Sequence, residues 1–129
     1  MTDTLLATAF SGFSVDDLDA ARDFYAGTLG LDVEETPGMG LWLRIPGDSG
    51  VFVYPKGDAH VPATFTVLNF PVADVTSTVA ALRERGVAFE RYAGTPVETD
   101  DDFVFRGGGP LIAWFTDPAG NVLSVVADA

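Results

Sequence analysis

Few side chains in this sequence could do chemistry, and their types narrow the field at once. Its 129 residues include one histidine, His60, and no cysteine. Disulfides, thiolate metal ligands and a cysteine nucleophile are therefore excluded together. A Ser-His-acid arrangement fails as well. His60 lies in a connecting stretch, 56–64, with no nucleophile motif beside it, and a lone histidine there reads as a surface residue. The run Arg106-Gly107-Gly108-Gly109-Pro110 is no phosphate loop, because it lacks the Walker spacing, the Lys-Ser/Thr pair and a following helix. The acidic run Glu98, Asp100, Asp101 and Asp102 has two readings: a solvated loop, or a lid that meets a cationic ligand and hinges on the glycines after Arg106. No spacing of carboxylates singles out an acid–base pair.

The charge balance sharpens the choice of partners. A formal net charge of −12 repels phosphate backbones, so nucleic acid is not an expected partner. The same charge either steers a cationic ligand inward or simply maintains solubility. No run of apolar residues is long enough to span a bilayer, and the N-terminus carries no basic n-region. The expectation is a cytoplasmic protein with no membrane contact.

The elements that must position any site follow from an internal repeat. Residues 13–18 read Phe-Ser-Val-Asp-Asp-Leu and residues 70–75 read Phe-Pro-Val-Ala-Asp-Val, a shared F-x-V-x-D-[L/V] offset by 57 positions. Each copy follows a short alternating apolar run and precedes a helical pattern. The first helix should start at Asp16 or Asp17, bury Leu18, Ala21, Tyr25 and Leu29, and stop at Gly30. The second should start at Asp74, use Val75, Val79 and Leu82, and stop at Gly86, with Arg83 and Arg85 suited to its last turn. Strands are expected over 31–35, 40–45 and 51–55 in the first copy, with a turn at 46–50. In the second they are expected over 87–92, 103–106 with 111–116, and 121–127, with a turn at 117–121. The predicted class is α+β: two tandem β-α-β-β-β units whose curled sheets surround a cleft, the default place for a small-molecule site. A single domain is expected, with units over about 5–55 and 65–127 and a linker over about 56–64.

Two segments carry a family resemblance: Val15-Asp16-Asp17-Leu18-Asp19-Ala20-Ala21-Arg22-Asp23-Phe24-Tyr25 with Leu29-Gly30-Leu31, and Ala113-Trp114-Phe115-Thr116-Asp117-Pro118-Ala119-Gly120-Asn121. Together they make the chain resemble the vicinal-oxygen-chelate superfamily of glyoxalases, bleomycin-resistance proteins and extradiol dioxygenases. In the metal-dependent members, the resemblance implies one ligand, usually His, Gln or Glu, from each of four related strands. Carried over by position, these fall on Phe10, Val53, Val67 and Ser124. Two aliphatics, a phenyl ring and a hydroxyl cannot hold a divalent ion, so neither a metal nor another cofactor is expected.

Strand alternation places Phe10, Gly12 and Ser14 on one face, Val67 with Asn69, and Ser124 with Val122 and Val126. Trp114 is the hairpin partner of Ser124 across the 117–121 turn. Glu90 and Tyr92 face inward if Val87 and Phe89 pack under the second helix. Trp42 is expected under the first helix. The predicted lining is thus Phe10, Val53, Val67, Asn69, Glu90, Tyr92, Trp114 and Ser124, mainly apolar and aromatic. Phe10 and Val67 either touch ligand or merely fill the metal's place. The leading functional expectation is a metal-independent small-molecule-binding protein that sequesters a cationic or aromatic drug or metabolite. The alternative is a metal-free isomerase, lyase or cyclase using the same cleft. The resemblance further implies a homodimer.

Overall fold

Asp17 and Asp74 each start a helix in the same way. Asp17 Oδ1 accepts from the backbone N–H groups of Asp19 and Ala20, and Asp74 Oδ1 accepts from that of Ser77. A computed structural model describes residues 5–46 and 50–128, so Gly47–Ser49 of the expected first turn lie outside the described residues. Helix α1 (Leu18–Arg22) runs on into a π-helical turn, Asp23–Thr28, where Leu29 N–H donates to Phe24 C=O. Helix α2 (Val75–Glu84) buries Val75 and Val79.

The strands are β1 (Ser11–Val15), β2 (Asp32–Thr36), β3 (Gly40–Arg44), β4 (Val51–Pro55), β5 (Thr66–Val72), β6 (Ile112–Thr116) and β7 (Val122–Ala127). They form two sheets, ordered β1-β4-β3-β2 and β5-β7-β6. In each, the strand before the helix pairs in parallel with the last strand of its half, and the rest of the sheet grows outward by antiparallel pairing. This is the curled, two-sheet α+β architecture that the repeat predicts.

The second half departs from the first at one place. The strands expected over 87–92 and 103–106 shrink to single bridges, Phe89 with Phe115 and Phe105 with Ile112. Tyr92 (φ 49) and Phe103 (φ 65) adopt the left-handed conformation, which ends extended pairing on either side of the loop between them. Val87, Phe89 and Val104 still bury their side chains. Core contacts are thus kept where ladder hydrogen bonds are lost.

Each sheet turns one face to the helices. Val15, Leu41, Leu43 and Val53 of the first sheet and Ala113, Phe115 and Leu123 of the second are fully buried in one continuous core. Phe24 joins the halves, edge-on to Tyr25 at 5.2 Å and 6.4 Å from Phe115. Burial of side chains of this size contributes roughly 1.5–3 kcal/mol each. No described helix is long and apolar enough to cross a membrane.

Candidate functional site

With one face of each sheet committed to the core, alternation leaves the other face open. On the second sheet, Trp114 of β6 pairs with Ser124 of β7, which pairs with Asn69 of β5. The three side chains therefore form one row across the sheet. Ser124 is fully buried and its hydroxyl lies 2.6 Å from Asn69 Oδ1, to which it donates. Asn69 itself is exposed. Around Trp114 stand Tyr92, edge-on at 5.3 Å, and Phe105 at 6.1 Å. Glu90 joins them through its backbone N–H, which donates to Trp114 C=O. Burial, and then the nearby Glu90 carboxylate, raise the Tyr92 phenol above its ordinary pKa, so it is a neutral donor at physiological pH. Asn69, Glu90, Tyr92, Trp114 and Ser124 are thus brought together.

The first sheet carries a second aromatic row. Trp42 faces Phe52 across the β3–β4 pair, with ring centroids 4.9 Å apart. Phe10 meets Trp42 edge-on at 4.9 Å, and Tyr54 stacks on Phe52 at 6.3 Å. Arg44 lies 5.4 Å over the Trp42 ring and pairs with Glu34. Two expectations are corrected here. Trp42 is on the open face, because Leu41 and Leu43 take the places under the helix layer. Val53 is fully buried in the core and lines no open face. Val51 and Val53 face inward as Leu123 and Val125 do, so Phe52, not Val53, corresponds to Ser124. A slip of one residue exchanges the faces of a strand.

Phe10 and Val67 do meet, around a cavity of about 260 Å³ that also touches Ser11 and Val51. Beside it, a cavity of about 560 Å³ opens between β1 and the chain segment leading into β5, lined by Ser14, Tyr54, Thr64, Val67 and Asn121 among others. The structure therefore distributes the expected lining: Phe10 and Val67 at the junction of the halves, Asn69, Trp114 and Ser124 on the second sheet with Glu90 and Tyr92 beside them, and Val53 in the core.

The junction holds a polar network that the spacing of residues did not disclose. Asp117, 4% exposed, accepts from Tyr25 Oη at 2.7 Å, from the Asn121 backbone N–H at 2.8 Å and from Asn121 Nδ2 at 3.1 Å. Asn121 Nδ2 also donates to Ser14 C=O, and its Oδ1 accepts from Ala63 N–H. His60, expected at the surface, is half-buried instead. Its Nε2 donates to Ala119 C=O at 3.0 Å, and its Nδ1 is hydrogen-bonded to Ser14 Oγ at 2.8 Å. Burial, then the Asp117 carboxylate, push the Tyr25 phenol far up, fixing it as a donor. The Asp117–Asn121 turn thus fastens one half of the chain to the other.

The acidic run is a solvated turn, with Glu98, Asp101 and Asp102 exposed, that is also pinned by hydrogen bonds at Asp100. Asp100 accepts from Asp102 N–H and Val104 N–H, and pairs with Arg106 Nε at 2.5 Å. Buried Thr99 donates to the carbonyls of Glu90 and Arg91, both at 3.3 Å. Glu98 accepts from Gly94 N–H.

The four positions that the resemblance assigns to a metal do not fit one. Phe10, Val53 and Val67 offer no donor atom, nor does Phe52, which takes the place assigned to Val53, and the Ser124 hydroxyl is engaged with Asn69. Among the described residues, no group of three or more His, Cys, Asp or Glu is placed to hold an ion.

The sequence pattern of the Glyoxalase/Bleomycin resistance protein/Dioxygenase superfamily matches residues 7–125. No curated protein matches the chain. Among solved structures, the chain is similar to TnmS3, an antibiotic binding protein from Streptomyces sp. CB03234. The two are 26% identical, with a TM-score of 0.67 over 98% of this chain and 100% of that one. It is also similar to a glyoxalase/bleomycin resistance protein from the same organism, at 30% identity and a TM-score of 0.58, covering 92% of this chain and 99% of that one. The lactoylglutathione lyase of Agrobacterium tumefaciens shares the fold, with 21% identity and a TM-score of 0.64 over 95% of this chain and 94% of that one.

Proposed function

This chain belongs to the glyoxalase/bleomycin resistance protein/dioxygenase superfamily, and from that premise we propose that it binds a small aromatic molecule without a metal ion and sequesters it. One observation carries the reading. The open face of the second sheet presents the rings of Trp114, Tyr92 and Phe105 around the Asn69–Ser124 pair. Such a face offers apolar ring surface with a few directed polar groups, the usual make-up of a small-molecule site. Similarity to an antibiotic binding protein over nearly the whole of both chains supports it. The net charge of −12 favours ligands that carry a positive group. Sequestration needs affinity alone and no reacting group.

Metal independence is supported by the residues at the four inherited positions, none of which has a free donor atom directed at an ion. We also propose a cytoplasmic homodimer. Exposed Leu5, Leu6, Phe10, Met39, Val61 and Phe65 support the dimer, since apolar side chains in that number favour association. Native mass spectrometry should then show twice the 13.6 kDa chain mass.

The direct test is calorimetric titration of chelator-treated protein with an acridine, a cationic anthracycline and a metal-free glycopeptide antibiotic. At least one should bind with a dissociation constant in the micromolar range or tighter and be recovered unchanged. Binding only after a divalent ion is restored, or no binding across the panel, overturns the proposal. Conversion of the bound molecule would make the protein an enzyme instead.

A further inference from the structure

Resting on that binding reading and deepening it, we propose that the second-sheet face selects planar ligands bearing a hydrogen-bond acceptor, such as a ring carbonyl. Asn69 and Trp114 are the two donors that do the selecting. Ser124 has a fully buried hydroxyl whose one partner among the described residues is Asn69 Oδ1, at 2.6 Å. An amide turned the other way would donate to the hydroxyl oxygen and leave the buried hydroxyl hydrogen without an acceptor, so the bond fixes which way the amide points. With Oδ1 committed inward, Asn69 has only its Nδ2 hydrogens left to offer, and these have no partner among the described residues.

Trp114 stands on the other side of Ser124 in the same row. Its indole N–H can only donate, and it too has no hydrogen-bond partner among the described residues. Two unengaged donors therefore flank one buried hydroxyl, with the rings of Tyr92 and Phe105 beside them. A planar molecule stacked on the Trp114 ring, with the tilted Tyr92 and Phe105 rings at its edge, brings its rim to these N–H groups. An acceptor on its rim satisfies them, whereas a hydrocarbon rim desolvates them without return. Ser124 acts as a positioning residue, because it orients Asn69 without facing the ligand itself. The position that would hold a metal ligand in related proteins thus serves here to aim an amide.

The test compares two probes that differ in a single group, 2-aminomethyl-9-fluorenone and 2-aminomethylfluorene. Both carry the same ammonium, so attraction to the acidic protein cancels in their ratio. A Trp42→Phe background leaves Trp114 as the one indole, and its fluorescence reports occupancy of this face. The expected result is quenching by both probes, with the fluorenone bound about tenfold tighter, the yield of roughly one well-made hydrogen bond. Asn69→Asp replaces the amide donor by an acceptor on an exposed side chain, and should reduce the ratio to what the Trp114 N–H alone supplies while leaving the fold intact by circular dichroism. Ser124→Ala should reduce the ratio through loss of amide orientation.

Equal binding of both probes, with Trp114 quenched, overturns the donor assignment while the binding reading stands. A tenfold preference that survives Asn69→Asp overturns it as well. Failure of both probes to bind or quench sinks the binding reading together with the inference.

Discussion

Tyr25 shows how one hydroxyl can decide a local fold. Its ring is fully buried, and among the described residues its O–H is the one group that reaches from the first half to the Asp117 carboxylate. Tyr25→Phe keeps the ring packing but removes a hydrogen bond to a buried charge, for which a loss of roughly 1.5–3 kcal/mol is expected. The measurement is a urea unfolding midpoint that falls with its slope unchanged. Asp100 is the contrasting surface case. The Arg106 hydrogen bond, helped by Val104 N–H, holds its carboxyl below the ordinary carboxylate range. A lowered folded pKa means that the interaction is fully present above the unfolded value of about 3.9. It is lost as pH falls through the still lower folded value. The hydrogen bonds of the 100–106 turn should therefore persist from pH 7 to about pH 4 and loosen only in stronger acid. An NMR titration of the Asp100 carboxyl checks this, and Arg106→Ala should move its midpoint upward.

Among the elements, strand parity decides what is site and what is core. The two helix starts, the β6–β7 register and the pairing of Trp114 with Ser124 are legible in the sequence, because capping aspartates and a five-residue turn leave little freedom. Parity in β4 was not, since Val51, Phe52 and Val53 are all apolar and only pairing with β1 and β3 shows which two face inward. The same weakness misplaced Trp42. The loop after α2 was illegible for another reason: left-handed Tyr92 and Phe103 occur at residue types that do not signal that conformation. Nor could spacing reveal the network around Asp117, whose partners Tyr25, Ser14 and Asn121 come together only in the folded chain. The corrected parity has a measurable consequence. Val53→Ala should lower stability by about 2 kcal/mol through the cavity it leaves, without changing ligand affinity at the second sheet. An affinity loss larger than the loss in folded fraction would return Val53 to the site.

At the scale of the molecule, two sheets share one core, yet each keeps an aromatic face of its own. The fastening between the halves is made of contacts distant in sequence: Tyr25 to Asp117, Asn121 to Ser14, and Arg85 to the carbonyl of Thr28. None of them uses the peptide link at the helical turn Gly57–Ala59, which is exposed along its length. Continuity of the chain there is therefore not expected to be needed for the halves to associate. Two separately encoded pieces, 1–57 and 58–129, should find each other when co-expressed and purify as a stoichiometric pair through a tag on either one. With Asp117→Ala in the second piece, the partner should no longer be retained. The bleak result would be two pieces that each stay soluble and ignore the other. The expected result makes the repeat a lock and its key, cut from one pattern and able to be inherited apart.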